Sequence, residues 1–423
     1  MKRKKIVFAT FGTMGDVRPY LAVAAELQKR GHETVLGGMS MHREMVESTG
    51  TAFAQIAPDM EHVKNDPEAV RRLMAPRKGS FVLMQKYVIP ATREAFASMA
   101  EFASDADLMV AHPVSFAAAM FAEKHGIPWA STSLAPLSFF SVYDPPVIPT
   151  APELARLRFL GPGFHRLLAR FMRLFAKGWS AELRKIRREV RLPDKRGDLF
   201  FNNRYSPLMT LAMFSPLLGK PQPDWPPNTV ITGLPTLDRE NDAPMDPQVQ
   251  AFMEEGEPPI LFTLGSAASH GAGDFYQVSA EAAHRIGRRA LLAGQAEGGS
   301  FPGEAHPAGY VPYAEAFEKA AAVVHHGGVG TTMLGLRSGK PTLIVPFSHD
   351  QPDNAARAKR LGVSLTLPRT RYNVKSAAKA LSRLLMEPSF AQRAAEVGEQ
   401  VRQENGAETA ADALETLLEG NAT

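Results

Sequence analysis

Residues 321–336 read AAVVHHGGVGTTMLGL, and the order of residue types in this stretch decides the fold. A short run of small and β-branched apolar residues predicts a buried strand. The GGVG turn at 327–330 ends that strand, and Thr331 and Thr332 open a helix. Strand, glycine turn and helix in direct succession form part of a βαβ unit, the building block of parallel sheets. Downstream and upstream of it, runs of strand length recur at PPILFTLGS (258–266), RALLAG (289–294), PTLIVPF (341–347) and SLTLP (364–368). Nearer the N-terminus a second series reads KIVFAT (5–10), ETVLGG (33–38), DLMVAH (107–112), IPWASTSL (127–134) and TLAMFS (210–215), with helix-like stretches at 20–30, 81–103 and 115–125. The Pro-rich KPQPDWPPNTVITGLP (220–235) separates the two series and reads as the start of a linker reaching to about residue 245. The expected fold class is α/β, with two doubly wound, Rossmann-like domains over 1–235 and 236–405. ETAADALETLLEG (408–420) predicts a closing amphipathic helix, within 406–423, packed back on the first domain.

Composition narrows the function classes. Of 423 residues, 44% are hydrophobic and 22% charged, enough for two buried cores. Cysteine is absent, which excludes disulfides, thiolate metal sites and a Cys nucleophile and points to the cytoplasm. The basic start MKRKK precedes an apolar run too short for a signal peptide, and no stretch approaches the ~20 apolar residues of a membrane span. A net charge of +4 is too mild to mark a nucleic-acid partner without a concentrated patch; it suits an anionic ligand or a membrane surface.

In doubly wound sheets ligands bind beyond the carboxyl ends of the strands, so the loops there carry the chemistry. In the 321–336 stretch, glycines admit a close ligand and the helix N-terminus offers free N–H groups, which suits a diphosphate. Alone, that turn is an ordinary strand-to-helix connection. PFSHDQPDNAARAKRLG (346–362) and GYVPYAEAF (309–317) accompany it. Together the three resemble the donor-binding signature of the family 1 glycosyltransferases, the UDP-glycosyltransferases of GT-B fold, in a bacterial branch close to antibiotic, macrolide and sterol glycosyltransferases. The resemblance implies two domains facing a central cleft. It places His326 on the diphosphate of a nucleotide-sugar donor, with Gly328, Gly330, Thr331 and Thr332 as further donors, Ser266 near the phosphates and Gly15 also on the donor. Asp350 and Gln351 fall where the family holds the sugar hydroxyls. Tyr310 falls where plant members stack a Trp on uracil, and the Val311 backbone on the base edge. Leu334 replaces the Glu with which plant members bind ribose, which leaves dTDP-sugars open beside UDP-sugars.

GTMGDVRPY (12–20) follows the first strand, with a helix expected from about Pro19. Asp16 there is either a helix cap or a base. The stretch resembles the family's bacterial GxxGDxxP motif, which implies that Asp16 takes the acceptor hydroxyl's proton. His112, after DLMVAH, falls near the Asp that orients the catalytic His of plant members. The residues therefore allow an exchanged dyad, with His112 the group of more suitable pKa, or a histidine packed beneath the acceptor pocket. Asp105 and Asp107 form a DxD-like triplet at a helix-to-strand boundary, read as structural, so no metal and no cofactor beyond the co-substrate is expected.

On the acceptor side, PWASTSLAPLSFFSVYDPPVIP (128–149) mixes aromatic and hydroxyl residues, suited to a flat lipophilic acceptor at Phe139, Phe140 and Tyr143, each of which equally fits a core. FHRLLARFMRLFAKGWSAELRKIRREVRLP (164–193) has helical periodicity with Arg166, Arg170, Arg173 and Lys177 on one face, either a solvated face or a peripheral membrane contact. The expected activity is inverting, metal-independent transfer of a hexose, glucose by default, from a UDP- or dTDP-sugar to a hydroxyl of a polyphenol, macrolide or sterol-like molecule. Rhamnosyl transfer from dTDP-rhamnose, a GT-B sugar-nucleotide epimerase and a non-catalytic sugar-nucleotide binder are the alternatives; the aromatic loop argues against the epimerase, and Asp16 with Asp350 against the binder.

Overall fold

The computed structural model describes residues 2–64, 66–195, 198–201, 204–237, 244–265, 272–294 and 300–420. Each half of the chain builds one all-parallel sheet. The first comprises β1 (Lys5–Ala9), β2 (Glu33–Gly38), β3 (Ala52–Gln55), β4 (Leu108–Ala111), β5 (Trp129–Ser133), β6 (Met209–Ala212) and β7 (Thr229–Ile231), in spatial order 3-2-1-4-5-6-7. The second comprises β8 (Ile260–Thr263), β9 (Ala290–Ala293), β10 (Ala305–Ala308), β11 (Ala322–His325), β12 (Thr342–Ile344) and β13 (Ser364–Thr366), in order 10-9-8-11-12-13. Both are doubly wound orders, with the chain reversing its direction of travel across the sheet between the first and fourth strands. Central strands are buried along their length, as apolar runs covered on both faces require, whereas the edges β3 and β7 are only partly covered.

The chain separates into two compact units: one built from residues up to Asp66, Arg77–Leu237 and the stretch from Asn405, the other from Pro67–Pro76 and the remainder up to Glu404. The ten-residue excursion Pro67–Pro76 interrupts a first domain that the sequence reading ran unbroken from 1 to 235. Part of the Pro-rich linker is also structural: Thr229–Ile231 pairs with β6 as an edge strand, a position where β-branched residues flanked by Pro are tolerated.

The first helix starts at Met14 and not near Pro19, which lies inside it. The Thr13 N–H and hydroxyl both donate to Asp16 Oδ2, at 2.7 and 3.1 Å, so the helix nucleates a turn earlier than Pro19 suggests. The closing helix, Gly406–Gly420, packs on the helix Met14–Lys29. Gly406 is required there, because a Cβ would lie 2.5 Å from the Leu234 carbonyl carbon. Arg30 donates to Asp412 at 2.5 Å and to Glu415 at 2.7 Å along the rim. Such partly exposed pairs contribute about 1 kcal/mol or less each, so apolar burial dominates this contact. Leu414, fully buried on the closing helix, is its test: Leu414→Ala is expected to cost about 2–5 kcal/mol, read as a lowered thermal midpoint.

Candidate active site

In the second unit β11 ends at His325, and the helix Val329–Ser338 begins four residues later with Gly328 as its N-cap. No side chain caps this helix, so its first N–H groups are left for a ligand. Gly327 has φ +92°, and a Cβ on it would lie 2.7 Å from Ile344 Cγ2. Two further glycines clamp His326: a Cβ on Gly265 would meet its Cε1 at 2.7 Å and one on Gly328 its Nε2 at 2.6 Å. The imidazole is thus locked by missing side chains. Burial pushes His326 down to about 4 and His325 down to about 3, so both rings are neutral at physiological pH. His325 Nδ1 accepts from the Gly327 N–H at 3.1 Å and holds the turn, whereas His326 Nδ1 and Thr332 Oγ1 are buried without a partner among the described residues. A dipole end, a fixed imidazole and unspent N–H groups form an anion cradle.

Beyond β12, His349 adopts φ +57°, and Asp350 becomes the N-cap of the helix Gln351–Arg360. Left-handed backbone at a non-glycine residue is strained and clusters at ligand sites. Gln351 Oε1 accepts from the Phe347 and Ser348 N–H groups at 2.8 and 3.1 Å, which leaves its amide NH2 as the end available to a sugar. Asn354 donates to Gly327 O at 3.0 Å and to Asp350 Oδ2 at 2.7 Å, tying the cradle to the carboxylate. The sequence reading assigned Asn354 nothing; its spacing four residues after Asp350, one helical turn, was the signal. Ser348 also lies 3.9 Å from Met74 Sδ on the excursion Pro67–Pro76. Tyr310 is exposed after β10, Val311 is buried beside it, and Leu334 packs on the apolar cluster around Phe317. Ser266 lies outside the described residues.

In the first unit, Asp16 and His112 both sit where β1 and β4 end, at the reversal point of the sheet. Asp16 is the reciprocal half of the helix cap, with Oδ2 taken by Thr13 and Oδ1 bound by no donor among the described residues. Its carboxylate lies where a Gly12 Cβ would be, 2.4 Å from Oδ2, and Gly12 has φ +118°, so only glycine fits. Burial raises the Asp16 pKa, partly opposed by the Thr13 bonds. His112 moves the other way: burial, then the Arg204 charge, lowers it to about 3. Among the described residues no hydrogen bond joins Asp16 to His112: Asp16 Oδ2 accepts from Thr13, and His112 Nδ1 accepts from the Val114 N–H at 3.3 Å. Burial thus makes His112 a weaker base than a free imidazole. Tyr20 borders both: its ring centroid is 6.0 Å from that of His112, and the Asp16 charge helps raise its phenol pKa. Asp105 and Asp107 are occupied by Lys5 at 2.5 Å and Lys4 at 2.8 Å.

A cavity of about 770 Å³ opens in the same unit, lined by Phe139, Phe140, Ile148, Leu168, Met172 and Trp225 among others. Phe139 is also core, its ring 4.3 Å from that of Trp225. Phe140 meets Phe201 edge-on at 4.8 Å from a backbone at φ +48°, a second strained residue at a candidate site. Tyr143 is exposed and does not line the cavity, because Ser141 and Asp224 turn the chain away: the Tyr143 N–H donates to Ser141 Oγ, which donates to Asp224. The walls contributed by helix Gly161–Phe175 and by Trp225 were absent from the sequence reading, since only folding brings them beside Phe140.

Residues 6–143 match the glycosyltransferase family 28 N-terminal domain, and residues 290–417 match the erythromycin biosynthesis protein CIII-like C-terminal domain. The O-mycaminosyltylonolide 6-deoxyallosyltransferase of Streptomyces fradiae is 32% identical over 428 residues, covering 99% of both chains. The chain belongs to the family 1 glycosyltransferases. The sterol 3-beta-glucosyltransferase of Komagataella phaffii is 29% identical over 99% of this glycosyltransferase and 35% of its own length. The crystal structure of the calicheamicin glycosyltransferase CalG4 superposes over 100% of both chains with a TM-score of 0.72 at 17% identity, which shows the shared GT-B fold. A spinosyn rhamnosyltransferase complexed with thymidine diphosphate gives 0.66 over 97% of this chain and 100% of that one, at 15% identity.

Four histidines, His112, His325, His326 and His349, are held at about 3 to 4 by burial, against 6.5 for the free side chain. The unfolded chain therefore takes up protons below pH 6.5 that the folded chain refuses. Stability is full above that pH and is lost as pH falls from there toward 4. Thermal midpoints should fall steeply between about pH 7 and pH 5; a flat profile would refute neutral burial.

Proposed function

We propose that this glycosyltransferase moves a hexose, glucose by default, from a UDP- or dTDP-sugar to a hydroxyl of a lipophilic small molecule, with inversion and without a metal. The observation that carries the reading is the anion cradle of neutral His326 fixed between Gly265 and Gly328 at an uncapped helix N-terminus. As the bond between the sugar's anomeric carbon and the diphosphate breaks, the electron pair goes to the phosphate oxygen. The helix N–H groups and His326 meet that charge without reorganising. Asp350 accepts from and Gln351 donates to the sugar hydroxyls. The acceptor oxygen attacks the anomeric carbon from the opposite face, and its proton passes to Asp16, whose raised pKa makes it a better base than a solvated carboxylate.

The cavity in the first unit supports a lipophilic acceptor: its volume falls in the range that takes drug-sized ligands, and its walls are largely aromatic and aliphatic. Relatives named for O-mycaminosyltylonolide and for sterol point the same way. A second donor reading, a dTDP-deoxysugar such as dTDP-rhamnose, is favoured by Leu334, which offers no carboxylate to select a ribose diol, and by the thymidine diphosphate bound to the spinosyn enzyme. The proposed site of action is the cytoplasm.

Incubating the enzyme with UDP-glucose, UDP-GlcNAc, UDP-galactose or dTDP-rhamnose against a flavonoid, a sterol and a macrolide, with mass detection, tests the reading. A β-glycoside is expected, unaffected by EDTA; nucleotide release with no acceptor-dependent product would overturn it. Asp16→Asn is expected to lower kcat roughly 10²–10⁴-fold with donor KM little changed. Because only ionised Asp16 accepts the proton, activity should be lost as pH falls through a pKa above 3.8, and Asp16→Asn should abolish that limb. Gly328→Ala, by displacing His326, should raise donor KM at least about tenfold, the effect of about 1.4 kcal/mol of lost binding.

A further inference from the structure

Residues 156–196 hold thirteen Lys and Arg against three Asp and Glu, a net charge of +10 in a chain whose total is +4. The helix Gly161–Phe175 lies in this stretch and shows three faces. His165, Leu168, Ala169 and Met172 turn inward and wall the 770 Å³ cavity. Leu160, Leu167, Phe171 and Leu174, which helical spacing stacks in one stripe, turn outward and are 45%, 68%, 56% and 51% exposed, and Phe159 just before the helix is 80% exposed. Arg166, Arg170, Arg173 and Lys177 fall on a third stripe beside the second, and among the described residues Arg166 and Arg170 form no ion pair. Five large apolar side chains in solvent within sixteen residues exceed what scattered surface exposure accounts for.

We propose that this helix seats the first unit on an anionic lipid surface, sinking its outer apolar stripe among the acyl chains and setting Arg166 and Arg170 on the headgroups. An apolar stripe flanked by cations such as Arg166 and Arg170 is the chemistry of an interfacial helix. A second copy of this chain is the poorer occupant, because a symmetric contact would press one strongly basic patch against another. Since the inner face of the same helix walls the cavity, an acceptor dissolved in the bilayer reaches that cavity beside the lipid. This consequence for delivery rests on the cavity being the acceptor site, whereas the docking itself does not.

The test is flotation of the full-length protein with vesicles of phosphatidylcholine alone or with phosphatidylglycerol. Binding to the anionic vesicles is expected, weakened by added salt. Leu167→Asp, Phe171→Asp and the double Arg166→Glu/Arg170→Glu variant should each lower it roughly tenfold or more, with unchanged thermal midpoints and unchanged transfer to a water-soluble acceptor. None of these four side chains lines the cavity. The proposal falls if anionic vesicles bind no protein at low ionic strength, or if Phe171→Asp and Leu167→Asp bind as wild type. It also falls if the protein forms a concentration-dependent dimer that Phe171→Asp dissolves while vesicles bind nothing. Loss of vesicle binding with transfer intact separates this inference from the glycosyltransfer reading, which a missing product would overturn instead.

Discussion

Each sheet has one place where two neighbouring strands are connected in opposite directions across it, β1 beside β4 and β8 beside β11, and the ladder hydrogen bonds joining those pairs hold the functional loops. The connections leaving the two strands depart to opposite sides, so the carboxyl ends open a crevice that no crossover fills. Asp16 and His112 stand at the first crevice, and Gly265 and His326 at the second. A register slip would turn the loop residues away from the crevice and expose central strands that are apolar on both faces. Fold stability and site geometry therefore depend on the same ladder.

Around these crevices the decisive atoms are often absent ones. Gly12 leaves room for the Asp16 carboxylate, Gly265 and Gly328 leave room for the His326 ring, and Gly327 leaves room for Ile344. Each permits polar groups to be buried at fixed positions without full satisfaction, as His326 Nδ1 and Thr332 Oγ1 are. Burying such atoms costs stability, and so does the left-handed backbone at Phe140 and His349. The apolar cores of the two units, around Phe121 and Phe275, offset that cost.

The long stretch between β5 and β6 gives the first unit features that the second lacks. It supplies Phe139, Phe140 and the helix Gly161–Phe175 to the cavity and carries a net positive charge larger than that of the whole chain. The second unit, with shorter connections, is given over to the anion cradle and to the Asp350–Asn354 link. Similarity to the glycosyltransferase relatives spans both units, and the outward stripe of Leu160, Leu167, Phe171 and Leu174 lies in the first.

Much of this was legible in the residues, because it is local. Apolar runs of strand length and glycine turns set two parallel sheets, since strand burial and turn conformation depend on neighbours a few residues away, and the HHGGVGTT and PFSHDQ segments carry the resemblance to the glycosyltransferase family. Three things needed the tertiary structure. The start of the first helix at Met14 depended on Asp16 folding back to Thr13, against the signal of Pro19. The cavity depended on residues 139, 168 and 225 meeting, a contact between segments with no sequence relation. The charge states of Asp16 and His112 depended on burial, which moves an acid up and an imidazole down. Sequence determined which chemical groups stand at the strand ends; only packing decided which of them remain charged, because the cost of a charge is set by the solvent its neighbours exclude.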